Sequence, residues 1–167
     1  STLYTYYMRC KAEVSSPIVM QMSDTLFLMA EEKGDQRMQA VALCNKLDYF
    51  YYKNDQPDSI SHYVEIVKDF ARKTNQPKYY YFVWSKRLIY YYIKQYQYNI
   101  ALYEANKMMK EAEQEKYMDG IANAYNVLSS IYQLKRLFNL AINNKKKEIE
   151  ITLQYNLNKF NLSIYYS

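Results

Sequence analysis

Two stretches forty residues apart decide the fold: Tyr92 to Ala101, YIKQYQYNIA, and Tyr132 to Ala141, YQLKRLFNLA. Each sets a tyrosine nine positions before an alanine, and Ile100 and Leu140 fill the same slot between them. The match runs outward. Tyr52, Ile60 and Ser61 stand forty positions before Tyr92, Ile100 and Ala101. Met38, Ala40, Val41 and Ala42 fall on Met118, Gly120, Ile121 and Ala122 at twice that shift, and Pro17 falls on Pro57 at one. A fixed period of this length marks tandem supersecondary units, none of which buries its apolar face alone. The units are 1–34, 35–74, 75–114 and 115–154, with 155–167 starting a further one.

Within each unit the apolar residues recur at three and four, as in Ile60, Val64, Val67, Ala71 and again in Ala101, Ala105, Met108, Ala112. That spacing is a helix stripe. Breaks at Lys33-Gly34-Asp35, at Asn54 to Asp58 and at Thr74 to Pro77 supply the residues that end one helix and cap the next. Each unit is therefore a helical hairpin, and helices are expected at about 3–14, 17–33, 36–53, 58–74, 77–95, 97–116, 117–135, 137–154 and 156–167. Tyr79 to Trp84 and Leu88 to Ile93 favour strands by local preference. The repeat outweighs that preference, because both neighbouring units require a helix in this slot. In the unit 35–74 Asp48 stands where Leu88 and Leu128 do, so a one-residue slip there would put Leu47 and Tyr51 inside.

Composition agrees. Among 167 residues there are only two Gly and three Pro, too few for the many tight turns of an all-β fold. Half the residues are apolar and 22 are Tyr, enough to fill a continuous core between docked hairpins. The net charge of +5 is interleaved, not striped, so no direct nucleic-acid contact is expected. No apolar run approaches the roughly 20 residues of a membrane span, which leaves membrane contact to segments outside this region. The opening Ser-Thr-Leu-Tyr reads as part of a longer protein.

A hairpin of this length, with an aromatic late in its first helix and a small residue nine on in its second, resembles the tetratricopeptide (TPR) family. Tyr132 with Ala141 and Tyr92 with Ala101 carry the likeness, Tyr52 with Ser61 matches more loosely, and Ser129 supplies the small residue one turn before Tyr132. The resemblance implies an all-α, right-handed superhelix whose first helices line a concave groove. Its period and its Tyr, Asn and Lys content look like the divergent TPR regions of bacterial two-component histidine kinases and related regulators. What that implies is a protein- or peptide-binding sensory module, periplasmic in an inner-membrane protein or, alternatively, cytoplasmic as a pheromone-binding domain of a transcription factor.

Carried onto this chain, the groove comprises Lys46, Phe50, Lys53, Lys86, Tyr90, Asn123, Asn126 and Gln133. Spacings such as 46, 50 and 53 share one helix face. Aromatic and polar side chains with lysines suit a peptide backbone and an acidic side chain or terminus. The plainer reading is a solvated helix face. A chaperone-tail clamp is not expected, because Phe50 and Tyr90 stand where it would want Asn and Val127 where it would want a cation. A homodimer or scaffold using exposed aromatics is the competing class.

Catalytic signatures are missing: there is no Gly-rich phosphate loop, HExxH or nucleophile elbow. Cys10, Cys44 and His62 make no metal set and no triad, so neither cofactor nor metal is expected. The repeat places the two cysteines about six helical positions out of line, roughly 9 Å, beyond disulfide reach, and both read as core residues. Lys145-Lys146-Lys147 spreads around a helix and makes no basic patch.

Overall fold

A computed structural model describes residues 2–53 and 56–163. The described residues are mostly helical, with no strand among them. In order they form α1 (Thr2–Ala12), α2 (Ile18–Glu32), α3 (Gln36–Tyr51), α4 (Pro57–Lys73), α5 (Pro77–Val83), a π-helical turn (Trp84–Ile89), α6 (Tyr90–Lys94), α7 (Tyr98–Glu115), α8 (Met118–Leu134) and α9 (Phe138–Gln154). They fall into two compact units, Ser1–Val83 with Asn161–Ser167, and Trp84–Phe160. In the first, each of α1 to α4 packs on the next; in the second, α7 packs on α6 and on α8, and α8 on α9. Short connections make such sequential helices antiparallel neighbours.

The ends of the helices explain how so few glycines suffice. Asp35 caps α3, its carboxylate accepting from the Met38 amide at 2.9 Å, while Pro57 and Pro77 open α4 and α5 at the first helical position. Six of the described residues, each just past a helix end, adopt the left-handed conformation: Gly34, Asn75, Tyr96, Lys116, Arg136 and Asn156. After each, the following amide reaches back five residues, as from Gln97 to the Tyr92 carbonyl at 2.9 Å and from Leu137 to Tyr132 at 2.9 Å. These are Schellman stops, five of them made without glycine.

Those stops are also regularly spaced. Tyr96, Lys116, Arg136 and Asn156 follow one another at intervals of twenty, whereas Asn75 to Tyr96 spans twenty-one. The longer interval holds the π-helical turn, whose wider winding takes up one extra residue inside a helix. The strand-favouring segment is thus helical, but not uniformly α. Local preference yields because Tyr79, Tyr80, Tyr81, Phe82, Val83 and Trp84 are all buried, and their packing outweighs it.

Burial settles the register of the second hairpin. Leu47 and Tyr51 are buried and Tyr52 is 57% exposed, the slip that Asp48 suggested. The alignment of Ile60 with Ile100 and Leu140 does not hold: Ile60 is fully buried, while the other two are 43% and 44% exposed. Ile60, Val64, Val67 and Ala71 correspond instead to Ala101, Ala105, Met108 and Ala112, forty-one positions on, all eight buried.

The helix expected over 156–167 does not form in its described part. Asn156 is left-handed and stops α9, the Leu157 amide donating to Thr152 at 3.0 Å. Beyond it Asn158, Lys159 and Asn161 interrupt any apolar stripe, and 157–161 carry no regular structure; residues 164–167 lie outside the described set. No helix among the described residues is long and apolar enough to cross a membrane.

Candidate functional site

In the first unit the proposed groove residues are bound up with their neighbours. Lys46, on α3, pairs with Asp24 of α2 at 2.6 Å, and its Nζ sits 5.7 Å from the centre of the Tyr63 ring of α4. One turn on, Phe50 stacks on the same ring, centroids 5.7 Å apart and planes 15° apart. Tyr63 is therefore covered by a cation and a ring from one face of α3, as the 46/50 spacing requires. Lys53 lies past the end of α3 and over Tyr49 instead, at 4.4 Å. His62 meets Tyr63 edge-on at 5.1 Å and is exposed.

In the second unit Lys86, within the π-helical turn, donates to the Tyr90 hydroxyl at 3.2 Å and lies 4.9 Å over that ring. Asn123 of α8 donates to the buried Ser85 hydroxyl at 3.0 Å. Asn126 accepts from Lys145 of α9 at 2.9 Å, and Lys145 also pairs with Glu148. Gln133, at the exposed end of α8, lines an open cleft of about 550 Å³ with Ser130, Leu134, Arg136 and Phe138. Lys46 and Phe50 are thus adjacent in the first unit, as Lys86 and Tyr90 are in the second. Asn123 and Asn126 serve separate contacts, and Gln133 is joined to neither.

Several partners were not legible beforehand. Asp24 and Tyr63 lie on other helices from the residues they hold, and only the hairpin pairing brings them there. Trp84 donates from Nε1 to Glu104 at 3.0 Å, with Lys107 5.9 Å over the indole. Nothing in the repeat marks this cluster, because Glu104 has no acidic counterpart at Tyr63 or Asn144.

Burial, and then the neighbouring Arg87 charge, lower the Lys94 ammonium below its ordinary range. Burial pushes the Cys10 thiol up to about 11, against a smaller lowering by Arg9, which keeps it protonated and a poor nucleophile. Tyr117 is pushed up to about 12 by burial and then by Asp119, and Asp119 is itself raised by burial. Cys10 and Cys44 are both buried and not joined to one another. No group of three or more potential metal ligands occurs among the described residues. Compared with protein-family models, curated proteins and solved structures, the chain matches none.

Proposed function

We propose that the chain is a non-catalytic protein- or peptide-binding module in which TPR-like hairpins, about forty residues each, stack into a right-handed superhelix. The observation that carries this reading is the repeated pairing of a first-helix lysine with an aromatic ring, Lys46 on Tyr63 and Lys86 on Tyr90. A lysine held against a ring loses little further side-chain freedom on engaging a carboxylate, and the ring offers flat apolar area beside it. An extended peptide with acidic side chains or a free carboxyl terminus has the complementary chemistry. The module would serve as the sensory part of a bacterial signalling regulator of two-component type, periplasmic in preference to cytoplasmic. Ligand binding acts there by favouring one superhelical pitch over another, which requires different affinities for the two. The test is selection of peptides from a random library on the immobilised chain. A reading based on the groove requires the combined Lys46→Ala, Lys86→Ala, Tyr90→Ala variant to weaken the selected peptides by about tenfold or more. Unchanged affinity removes the groove.

A second reading is a dimerising scaffold, and α9 favours it. Phe138, Ile142 and Ile149 are about half exposed and Leu153 is 77% exposed, at spacings that put them on one side of the helix with Lys146 among them. Such a stripe fits a second copy of the chain. Sedimentation over a range of concentrations separates the readings. A monomer supports the sensor; a dimer lost on Ile149→Glu supports the scaffold.

A further inference from the structure

The chain leaves α9 at Asn156, yet Asn161 to Ser163 belong to the first unit. Leu162 is only 1% exposed, as thoroughly buried as the core leucines Leu26 and Leu47. Immediately before it, the Asn161 carbonyl accepts a hydrogen bond from Arg37 Nη2 at 3.1 Å, across 124 positions of sequence. The Asn161 side chain in turn accepts from the Ser163 amide at 2.8 Å, closing a local Asx turn that presents the carbonyl and the leucine together. Arg37 lies in the first turn of α3, and its charge and that of Asp35 both reach the Tyr79 hydroxyl at the start of α5. A non-helical segment held through a main-chain carbonyl and a buried aliphatic side chain is how an extended peptide is held by a receptor surface.

We propose that Asn161-Leu162 is a self-ligand occupying a peptide-docking site on the first unit, marked by Arg37. The site accepts an extended segment that offers a main-chain carbonyl followed by a leucine-sized side chain. A partner segment of the same chemistry competes with the chain's own and releases it. The inference goes beyond the groove reading and does not depend on it, since none of the groove lysines takes part.

The probe is a fluorescein-labelled synthetic peptide of residues 157–163, LNKFNLS, titrated into the full chain and followed by anisotropy. In the wild-type chain the tethered segment competes at a high effective concentration, so binding is weak. Leu162→Asp empties the site and tightens peptide binding by about tenfold. Adding Arg37→Ala to that variant weakens it again by about tenfold. The Lys46, Lys86, Tyr90 variant leaves both values unchanged, which separates failure here from failure of the groove. Equal peptide affinity for wild type and Leu162→Asp overturns the proposal, as does global unfolding of Leu162→Asp, which would make Leu162 a permanent core residue. Hydrogen exchange of the wild-type chain supplies a second arm. The Ser163 amide should exchange about a hundredfold faster than that of Leu47, through local release. Equal rates mean the segment opens only with the whole fold and likewise overturn the proposal.

Discussion

Ser129 of α8 donates a hydrogen bond of 2.8 Å to the main-chain carbonyl of Ala141 in α9, in a buried contact. A side chain can reach a carbonyl of the neighbouring helix only where that helix carries almost nothing on its facing side. Ala141 provides this. Ser129→Ala should cost about 1 kcal/mol in urea unfolding, the typical loss of one buried hydrogen bond. Ala141→Leu should cost about 1–3 kcal/mol by overpacking. No loss in either would mean that the hairpin is not closely packed here.

Ser23 should behave in the opposite way. It sits fully buried in the α2 stripe with Val19, Leu26 and Ala30, and its hydroxyl has no hydrogen-bond partner among the described residues. Replacing it by alanine removes a desolvated polar group and leaves only a small void. Ser23→Ala should therefore be neutral or stabilising by up to about 1 kcal/mol. A clear loss of stability would show that the hydroxyl is satisfied after all.

The non-glycine Schellman stops carry a removable strain. Lys116 is exposed and left-handed at φ 55°, a conformation that costs a residue with a Cβ about 1–2 kcal/mol. Lys116→Gly should raise the thermal midpoint by about 2–4 °C, and Lys116→Val, whose branched Cβ fits the region worse, should lower it. The same midpoint for both would deny the left-handed stop.

Stability should decline on the alkaline side. The Cys10 thiol, ordinarily near 9.0, is pushed up to about 11, and the Tyr117 hydroxyl, ordinarily near 10.0, to about 12. Both folded values lie above the unfolded ones, so the folded chain holds protons that the unfolded chain releases. Their stabilising effect is complete below about pH 9 and is lost as pH rises from there to about 12. Urea midpoints measured at intervals from pH 8 to 11 should fall, and Tyr117→Phe should fall less above pH 10. A flat profile contradicts the burial of both groups.

What could be read in advance follows from which forces are periodic. Helix stripes such as Ala101, Ala105, Met108 and Ala112 are set by burial along one face, and spacing alone reveals them. The slip at Asp48 was legible for the same reason, since a carboxylate in an apolar slot conflicts with burial. The true partner of Ile60 was not: Ala101 and Ile100 are adjacent and both apolar, so only their opposite exposures distinguish them. The π-helical turn was hidden because one extra residue within a continuous aromatic run leaves no break. In the candidate groove, Lys46 and Phe50 could be placed on one face, but Asp24 and Tyr63, which hold them, come from helices that spacing does not relate. The return of Leu162 to the first unit depends on a segment without periodicity, so no pattern announced it.

Lys46 offers a way to separate binding from folding. Its partner Asp24 has a side chain 63% exposed, so solvent screens the pair strongly. Lys46→Ala should therefore change stability by less than about 1 kcal/mol. A larger loss in urea unfolding would make Lys46 a structural residue and weaken its place in a binding surface.

The most direct measurement is amide chemical-shift mapping of the isotope-labelled full chain while a library-selected peptide is titrated in. The largest shifts should gather at Lys46, Phe50, Lys53, Lys86, Tyr90, Asn123, Asn126 and Gln133. Shifts confined to the outer stripe of α9, or scattered with no focus on the first helices of the hairpins, would contradict the groove reading.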